Sequence, residues 1–369
     1  MINGCATIDG TKKFLKNSGI TPLNFKKFHN LLLSNVGIGT YLGEPNERTD
    51  ELVKNAVKQS ILFGINVIDT AINYRAQKAE RSVGKAILEL IDEGKITRDQ
   101  IFISTKNGYL TNDADVQQEF WQYVKNEYTE KGVLKEGDVT SGYHCMTRTY
   151  LNDQLERSLK NLGLSCIDLL YLHNAVEGQI KDISKEQFLE NLKSVFELYE
   201  EKRREGKIKF FGMATWDCFR VPPENPQYLS LQDTVELAKR VGGENHGFRF
   251  IQLPFNMYYD QALLAKNQVC DGRRVSVLEA AVALNIGVFT SVPLMQGKLL
   301  TPGAIPEFND LEPALRALQF IRSSPGVLSP LVGQKLPEHV SANIKIMKIN
   351  PIPETEFLEL VKKLTSGQH

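Results

Sequence analysis

Eight short apolar runs rich in Ile, Val, Leu and Phe recur along the chain at near-regular intervals, each followed by a loop and a longer segment of helical periodicity. They lie at Leu31–Gly39, Ile65–Thr70, Ile101–Lys106, Ile167–His173, Ile208–Thr215, Arg249–Pro254, Ile286–Pro293 and Ser329–Gly333. Their starts are separated by 34, 36, 66, 41, 41, 37 and 43 residues. Runs that are apolar throughout, instead of alternating, suit strands covered on both faces of a parallel sheet. A period of about 40 residues fits a repeated strand-loop-helix unit. Helices are expected over Arg48–Phe63, Ala79–Asp92, Tyr150–Leu162, Lys185–Glu205, Leu231–Arg240, Val275–Leu284, Leu311–Ile321 and Pro337–Met347. Gly64, Gly94, Gly163 and Gly206 follow four of them, where a left-handed residue ends a helix. Eight such units predict an α/β fold made of a single closed (β/α)8 TIM barrel.

A barrel of this kind needs roughly 250 residues, and the chain has 369. The surplus falls at three places: an N-terminal extension over 1–30, an enlarged third loop over 107–149 inside a barrel running from 31 to 349, and a C-terminal tail over 350–369 read as a helix. Asp9-Gly10 is a hairpin signal, so the extension is expected to plug the bottom of the barrel. The third loop leaves the chain just after Lys106, on the face where barrel enzymes do their chemistry. Its aromatic residues, Phe120, Trp121, Tyr123, Tyr128 and Tyr143, with His144, suggest a partial lid. A doubly wound open sheet is the rival fold and would place G-x-G-x-x-G after the first strand. In Gly37-Ile38-Gly39-Thr40-Tyr41-Leu42-Gly43 the third glycine comes one residue late.

Composition narrows the function classes. Lys plus Arg number 44 and Asp plus Glu 44, which removes the electrostatic case for a nucleic-acid partner or an acidic membrane. No apolar stretch approaches the roughly 18 residues of a membrane span, and Met1-Ile2-Asn3-Gly4-Cys5 has no basic-then-apolar signal pattern. Cys5, Cys145, Cys166, Cys218 and Cys270 are scattered and odd in number, so reduced thiols and a cytoplasmic location are expected. The absence of H-E-x-x-H, G-x-S-x-G, C-x-x-C and the P-loop pattern removes the simplest support for zinc, serine, dithiol and phosphoryl-transfer chemistry, and no metal site is expected.

What remains is polar chemistry at the strand ends. The second strand ends in Asp69-Thr70 with Tyr74 in the loop beyond, the third in Lys106, the fourth in His173. Three titratable groups at one rim beside a tyrosine suit carbonyl reduction, where a hydride reaches carbon and a proton must meet the oxygen. Tyrosine is a weak acid near pH 7, and a neighbouring ammonium would lower its pKa. Lys106 supplies that charge, Asp69 fixes Lys106, and His173 orients the oxygen or relays a proton.

With these residues the sequence resembles the aldo-keto reductase superfamily over roughly 31 to 348. Asp69-Thr70-Ala71-Ile72-Asn73-Tyr74 is similar to its Asp–Tyr motif, Ile103-Ser104-Thr105-Lys106 to its lysine strand, and Asp168-Leu169-Leu170-Tyr171-Leu172-His173-Asn174 to its histidine strand. The resemblance implies a catalytic tetrad of Asp69, Tyr74, Lys106 and His173 and a nicotinamide cofactor across the C-terminal rim. NADP(H) is the family habit, with NAD(H) as the alternative. It implies cofactor contacts from Gly39, Thr40, Tyr41 and Asp69 on the early strands, and from Thr215 and Gln252 at the carboxamide. Pro293, Leu294, Gln296 and Gly297 resemble the pyrophosphate strap, while Gly333, Gln334, Lys335, His339 and Asn343 fall at the adenosine phosphate. Tyr41, Asn107 and Trp216 are expected to line the substrate pocket.

Three departures from the family pattern stand out. Ala214-Thr215 replaces the usual Ser-Asn, no tyrosine precedes Pro293 to stack on the nicotinamide, and His339 stands where an arginine is common. The expected function is reduction of an aldehyde or ketone by NAD(P)H with Tyr74 as acid. The alternatives are an NAD(P)+-dependent sugar or polyol dehydrogenase on the same site, and a non-enzymatic cofactor-binding regulatory barrel.

Overall fold

The computed structural model describes residues 1–366, and residues 367–369 of the expected tail helix lie outside the described residues. Eight parallel strands close into a barrel: β1 Gly37–Gly39, β2 Val67–Asp69, β3 Phe102–Asn107, β4 Ile167–His173, β5 Ile208–Ala214, β6 Phe248–Pro254, β7 Gly287–Ser291 and β8 Val327–Gly333. Each pairs with its neighbours in sequence, and β8 returns to β1. The helices that follow them are α1 Glu47–Leu62, α2 Lys78–Asp92, α3 Arg148–Leu162, α4 Lys185–Arg204, α5 Leu231–Gly242, α6 Val277–Ala283, α7 Pro313–Ser323 and α8 Pro337–Asn343. Side-chain caps open several: Asn46 accepts from Thr49 N at α1, Ser184 from Gln187 N at α4, and Ser276 from Glu279 N at α6.

Strand alternation decides what each residue meets. In β3, Phe102 and Lys106 face the barrel interior, whereas Ile103 joins the layer between strands and helices. Phe102, Phe250 and Phe289 fill the lower barrel with ring centroids 5.6 to 5.9 Å apart. Above them the register sets Asp69 opposite Ser104, Lys106 opposite Tyr171, and His173 opposite Ala214, which is itself opposite Gln252. Polar ends of apolar strands thus collect at one rim.

The plug exists but is built from other residues than expected. Thr7 accepts a hydrogen bond from Gly10 N and caps a helix over Ile8–Ser18, so Asp9-Gly10 lies in its first turn, where an acidic residue meets the positive helix end. The hairpin pairs Phe25–Phe28 with Leu31–Ser34 through His29 and Asn30, whose φ values of 40° and 57° are those of a tight left-handed turn. Phe28 then packs on Phe250 at 5.2 Å. The expected first strand, Leu31–Gly39, is consequently two strands. Ser34 N donates to Asn66 Oδ1 and Ser34 Oγ to Val36 O, which satisfies the backbone at the break.

The cysteine reading also changes. Cys5 and Cys166 are joined by a disulfide across 161 residues, while Cys145, Cys218 and Cys270 are free and buried. The N-terminal residues run beside the start of β4, with Ile2 N donating to Gly163 O and Ala6 N to Asp168 Oδ1, and this brings the two Cα atoms to 5.9 Å. A helix over Glu354–Ser366 docks through buried Phe357 on Phe320. Among the described residues no helix is long and apolar enough to cross a membrane, and no group of three or more His, Cys, Asp or Glu side chains is placed to hold a metal.

Candidate active site

The four rim residues meet. Asp69 at the end of β2 accepts from Ser104 Oγ (2.7 Å) and Gln252 Nε2 (3.0 Å) on one oxygen and from Lys106 Nζ (2.5 Å) on the other. Lys106, with none of its surface exposed, also donates to Thr70 O at 2.8 Å. Its Nζ lies 4.7 Å from the centre of the Tyr74 ring, and that ring meets His173 edge-on at 5.9 Å. Asp69, Tyr74 and His173 border one cavity of about 740 Å3.

Burial works to lower the Lys106 ammonium, but Asp69 and then Tyr74 outweigh it, so the net shift is upward and the group stays charged. For Tyr74 the net direction differs from the lowering expected of a lysine neighbour. Burial pushes the phenol up, Lys106 pulls it back, and Asp69 pushes it up again. Tyr74 is therefore kept as a neutral hydroxyl with a proton to give. Burial, followed by the charge on Lys106 and by His144, holds His173 well below the ordinary histidine range, so its ring is neutral. Its Nδ1 is buried and without a partner.

Every residue expected to touch a cofactor borders this cavity: Gly39, Thr40, Tyr41 and Asp69 on one side, Thr215 just past β5 and Gln252 within β6, then Pro293, Leu294, Gln296 and Gly297, and finally Gly333, Gln334, Lys335, His339 and Asn343. Gln252 bonds Asp69, and the Thr215 hydroxyl is buried without a partner. After β7 the chain turns sharply, with Val292, Met295 and Gln296 at φ values of 49°, 46° and 55°. Asn256 Nδ2 donates to Val292 O and ties this strap to the loop after β6. At the far end Asn343 donates to Gln334, which donates to Ser60.

Of the expected substrate contacts, Tyr41 and Trp216 border the cavity, Trp216 with 43% of its surface exposed. Asn107 does not. It follows inward-facing Lys106 and so faces outward, donating to Leu151 O and accepting from Tyr199 Oη. The aromatic lid is not formed either. Tyr123 and Tyr128 turn into a small core of the insertion's own with Tyr150, and Phe120, Trp121 and Tyr143 cluster beside it. Among the described residues Tyr109 is the insertion's contribution to the cavity wall. The sequence reading missed Tyr109, Asn73 and Asn174, which border the cavity, and Ser104, which holds Asp69. Strand alternation would have found Ser104, two residues before Lys106 on the same face.

Residues 35–306 match the model of the aldo/keto reductase family. Over 359 residues the chain is 21% identical to a protein of Schizosaccharomyces pombe assigned provisionally as a voltage-gated potassium channel subunit beta, with 93% of each covered. An uncharacterised oxidoreductase of Bacillus subtilis is 22% identical over 333 residues, covering 89% of this chain and 92% of the relative. An aldo/keto reductase from Klebsiella pneumoniae, solved in complex with NADP and acetate, shares the fold with a TM-score of 0.59 at 20% identity, over 92% of this chain and 95% of that one.

Proposed function

Because the chain belongs to the aldo/keto reductase family, we propose that it is an oxidoreductase that uses NADP(H) to reduce an aldehyde or ketone to an alcohol, with Tyr74 as the acid. The observation that carries this reading is the convergence of Asp69, Lys106, Tyr74 and His173 on one end of a cavity that continues past the strap to Lys335 and His339. The donor set suits a dinucleotide: the unpartnered Thr215 hydroxyl and the Gln252 amide lie near the tetrad, and two nitrogen side chains follow β8 for a phosphate. The Klebsiella pneumoniae relative, with NADP in its printed description, supports the phosphorylated form.

When bound, the reduced cofactor supplies the hydride. The chain handles the proton. Tyr74 donates its hydroxyl proton to the carbonyl oxygen as negative charge grows there, and Lys106 offsets the charge left on the phenol. Asp69 keeps Lys106 protonated and in place. The neutral His173 ring donates a hydrogen bond from its cavity-facing nitrogen and so orients the carbonyl. Run backwards, the deprotonated Tyr74 oxygen would take the hydroxyl proton of an alcohol while the alcohol carbon gives its hydride to the oxidised cofactor.

Purified protein mixed with NADPH or NADH and a panel of aldehydes and ketones should consume reduced cofactor, followed by its absorbance. Failure to turn over any carbonyl or alcohol, together with failure to bind cofactor, would overturn the reading. Binding without turnover would favour a second reading, a cofactor-binding regulatory barrel, which the likeness to the Schizosaccharomyces pombe protein supports.

A further inference from the structure

The insertion after β3 returns to its own starting point. Cys145 N donates to Gly108 O and Leu110 N to Tyr143 O, closing a short antiparallel bridge between Tyr109 and His144. That bridge puts the His144 ring, with no exposed surface, directly behind the end of β4. Its Nε2 lies 2.8 Å from the carbonyl oxygen of His173. Its Nδ1 lies 3.0 Å from Gln179 Nε2, an amide nitrogen that can only donate, and the same amide reaches His144 O at 3.2 Å. Nδ1 is therefore the acceptor, and the single N–H of the neutral ring sits on Nε2, aimed at the His173 carbonyl.

The surroundings are shaped to this ring. A Cβ at Gly178 would stand 2.7 Å from His144 Cβ, and one at Gly108, whose φ is 123°, would stand 2.4 Å from Nε2. The Tyr109 ring is wedged edge-on between the rings of His144 (5.3 Å) and His173 (5.2 Å). The side chain of His173 has no such fastening. Its Nδ1 lacks a partner, and Asn174 just beyond it turns left-handed at φ 45°, which takes the chain off the strand. The bond from His144 to the main chain at His173 is thus a side-chain restraint added to the strand pairing there, in which Asn174 N donates to Ala214 O at 2.6 Å.

We propose that His144 is a positioning residue for the reaction: the insertion serves as a brace that fixes His173 through its backbone, with Gln179 setting the tautomer of His144. This rests on the reading of His173 as the group that orients the substrate carbonyl. Misplacing a catalytic group by about 1 Å costs on the order of 100-fold in rate. Replacing His144 by Phe keeps a ring in the space and removes the donor. His144→Gln keeps an N–H at the same distance along the side chain.

The experiment compares wild type, His144→Phe, His144→Gln and Gln179→Met. Expected are a fall of about 10- to 100-fold in kcat for His144→Phe, with cofactor Kd within twofold of wild type, and recovery to within about threefold in His144→Gln. Gln179→Met should fall between them, and it carries the test if His144→Phe does not fold. Wild-type kcat in His144→Phe, equal losses in the Phe and Gln variants, or a matching loss of cofactor affinity would each overturn the brace. Imidazole 15N spectra provide a readout without turnover. A single sharp His173 set in wild type and His144→Gln, broadened or doubled in His144→Phe or Gln179→Met, is expected. Identical spectra in all four proteins would overturn the proposal. Absence of turnover in the wild type, by contrast, removes the reaction and leaves the spectra to decide the brace.

Discussion

The two ends of the barrel each bury an ion pair, and the pairs are finished differently. At the bottom, Asp168 accepts from Arg98 Nη2 (2.6 Å), Ile103 N (2.9 Å) and Ala6 N (2.6 Å), so both oxygens are committed to holding chain segments together. The hairpin and the phenylalanine cluster seal that end. At the top, Asp69 and Lys106 are as deeply buried, yet the network they belong to stops at Tyr74 and His173, on a cavity wall. Polar atoms with no partner gather there, Thr70 Oγ1, Asn73 Oδ1, His173 Nδ1 and Thr215 Oγ1, against Arg98 Nε in the lower pair. Of the two buried pairs, the upper one is the candidate site because its network ends on a cavity that can admit another molecule.

The largest expected effect separates the two ends. Tyr74→Phe should lower kcat for carbonyl reduction by about 10²- to 10⁴-fold while leaving Tm and cofactor Kd near wild type. Undiminished turnover in that variant, measured by loss of reduced cofactor, would mean that the open network at the top is not the chemistry. Asp168→Ala should do the opposite. It leaves Arg98 buried without its carboxylate and should cost about 3–5 kcal/mol of stability by denaturant titration, with activity per folded molecule unchanged. A large activity loss in the folded fraction of that variant would break the division between the ends.

A smaller effect tests the boundary between them, since His144 belongs to the top but acts on the fold. Burial pushes its imidazole down to about 4, against the bond to the His173 carbonyl, which works upward. A folded-state value below the ordinary 6.5 means that the unfolded chain takes up the proton first as the pH falls. The stabilisation is full above pH 6.5 and is lost between about 6.5 and 4, worth about 3 kcal/mol for this ring. Buried His246 shifts in the same direction. Denaturant titrations at pH 7, 5.5 and 4.5 should show this slope, and His144→Gln should remove part of it. An unchanged slope in that variant would show that folding does not lower the affinity of His144 for its proton.

How far these features were legible follows from how locally each is encoded. Asp69, Lys106 and His173 end apolar runs, and a run with a polar end can be read without any distant information. Asn107 looks like the first loop residue after a strand ending in Lys106, whereas the strand continues through it and alternation turns it outward. Asp9-Gly10 carried a turn signal that Thr7 overrides as a helix cap, a competition settled by the residues packed around it. The insertion's aromatics show its apolar content but not whether Tyr123 and Tyr128 cover the cavity or one another. Cys5 and Cys166 pair because the N-terminal residues return to the start of β4, which no spacing rule contains.

The smallest expected effect lies at the open mouth. His339 is exposed on α8, beside Lys335, where the family commonly has an arginine. A guanidinium presents a planar fork of donors matched to a phosphate, whereas an imidazole presents at most two on one ring. His339→Arg should therefore tighten NADPH more than NADH. Exposure limits the gain to about 1 kcal/mol, roughly fivefold in Kd, and added salt should erode it. Stability and kcat should stay as they are, because nothing between His339 and the tetrad is rebuilt. Equal tightening of both cofactors, read by fluorescence titration, would place residue 339 away from the 2′-phosphate and leave Lys335 as the side chain that distinguishes them. A change in kcat would mean that the mouth and the tetrad are coupled, and the open end would then have to be treated as one unit instead of a fixed catalytic floor beneath an adjustable cofactor grip.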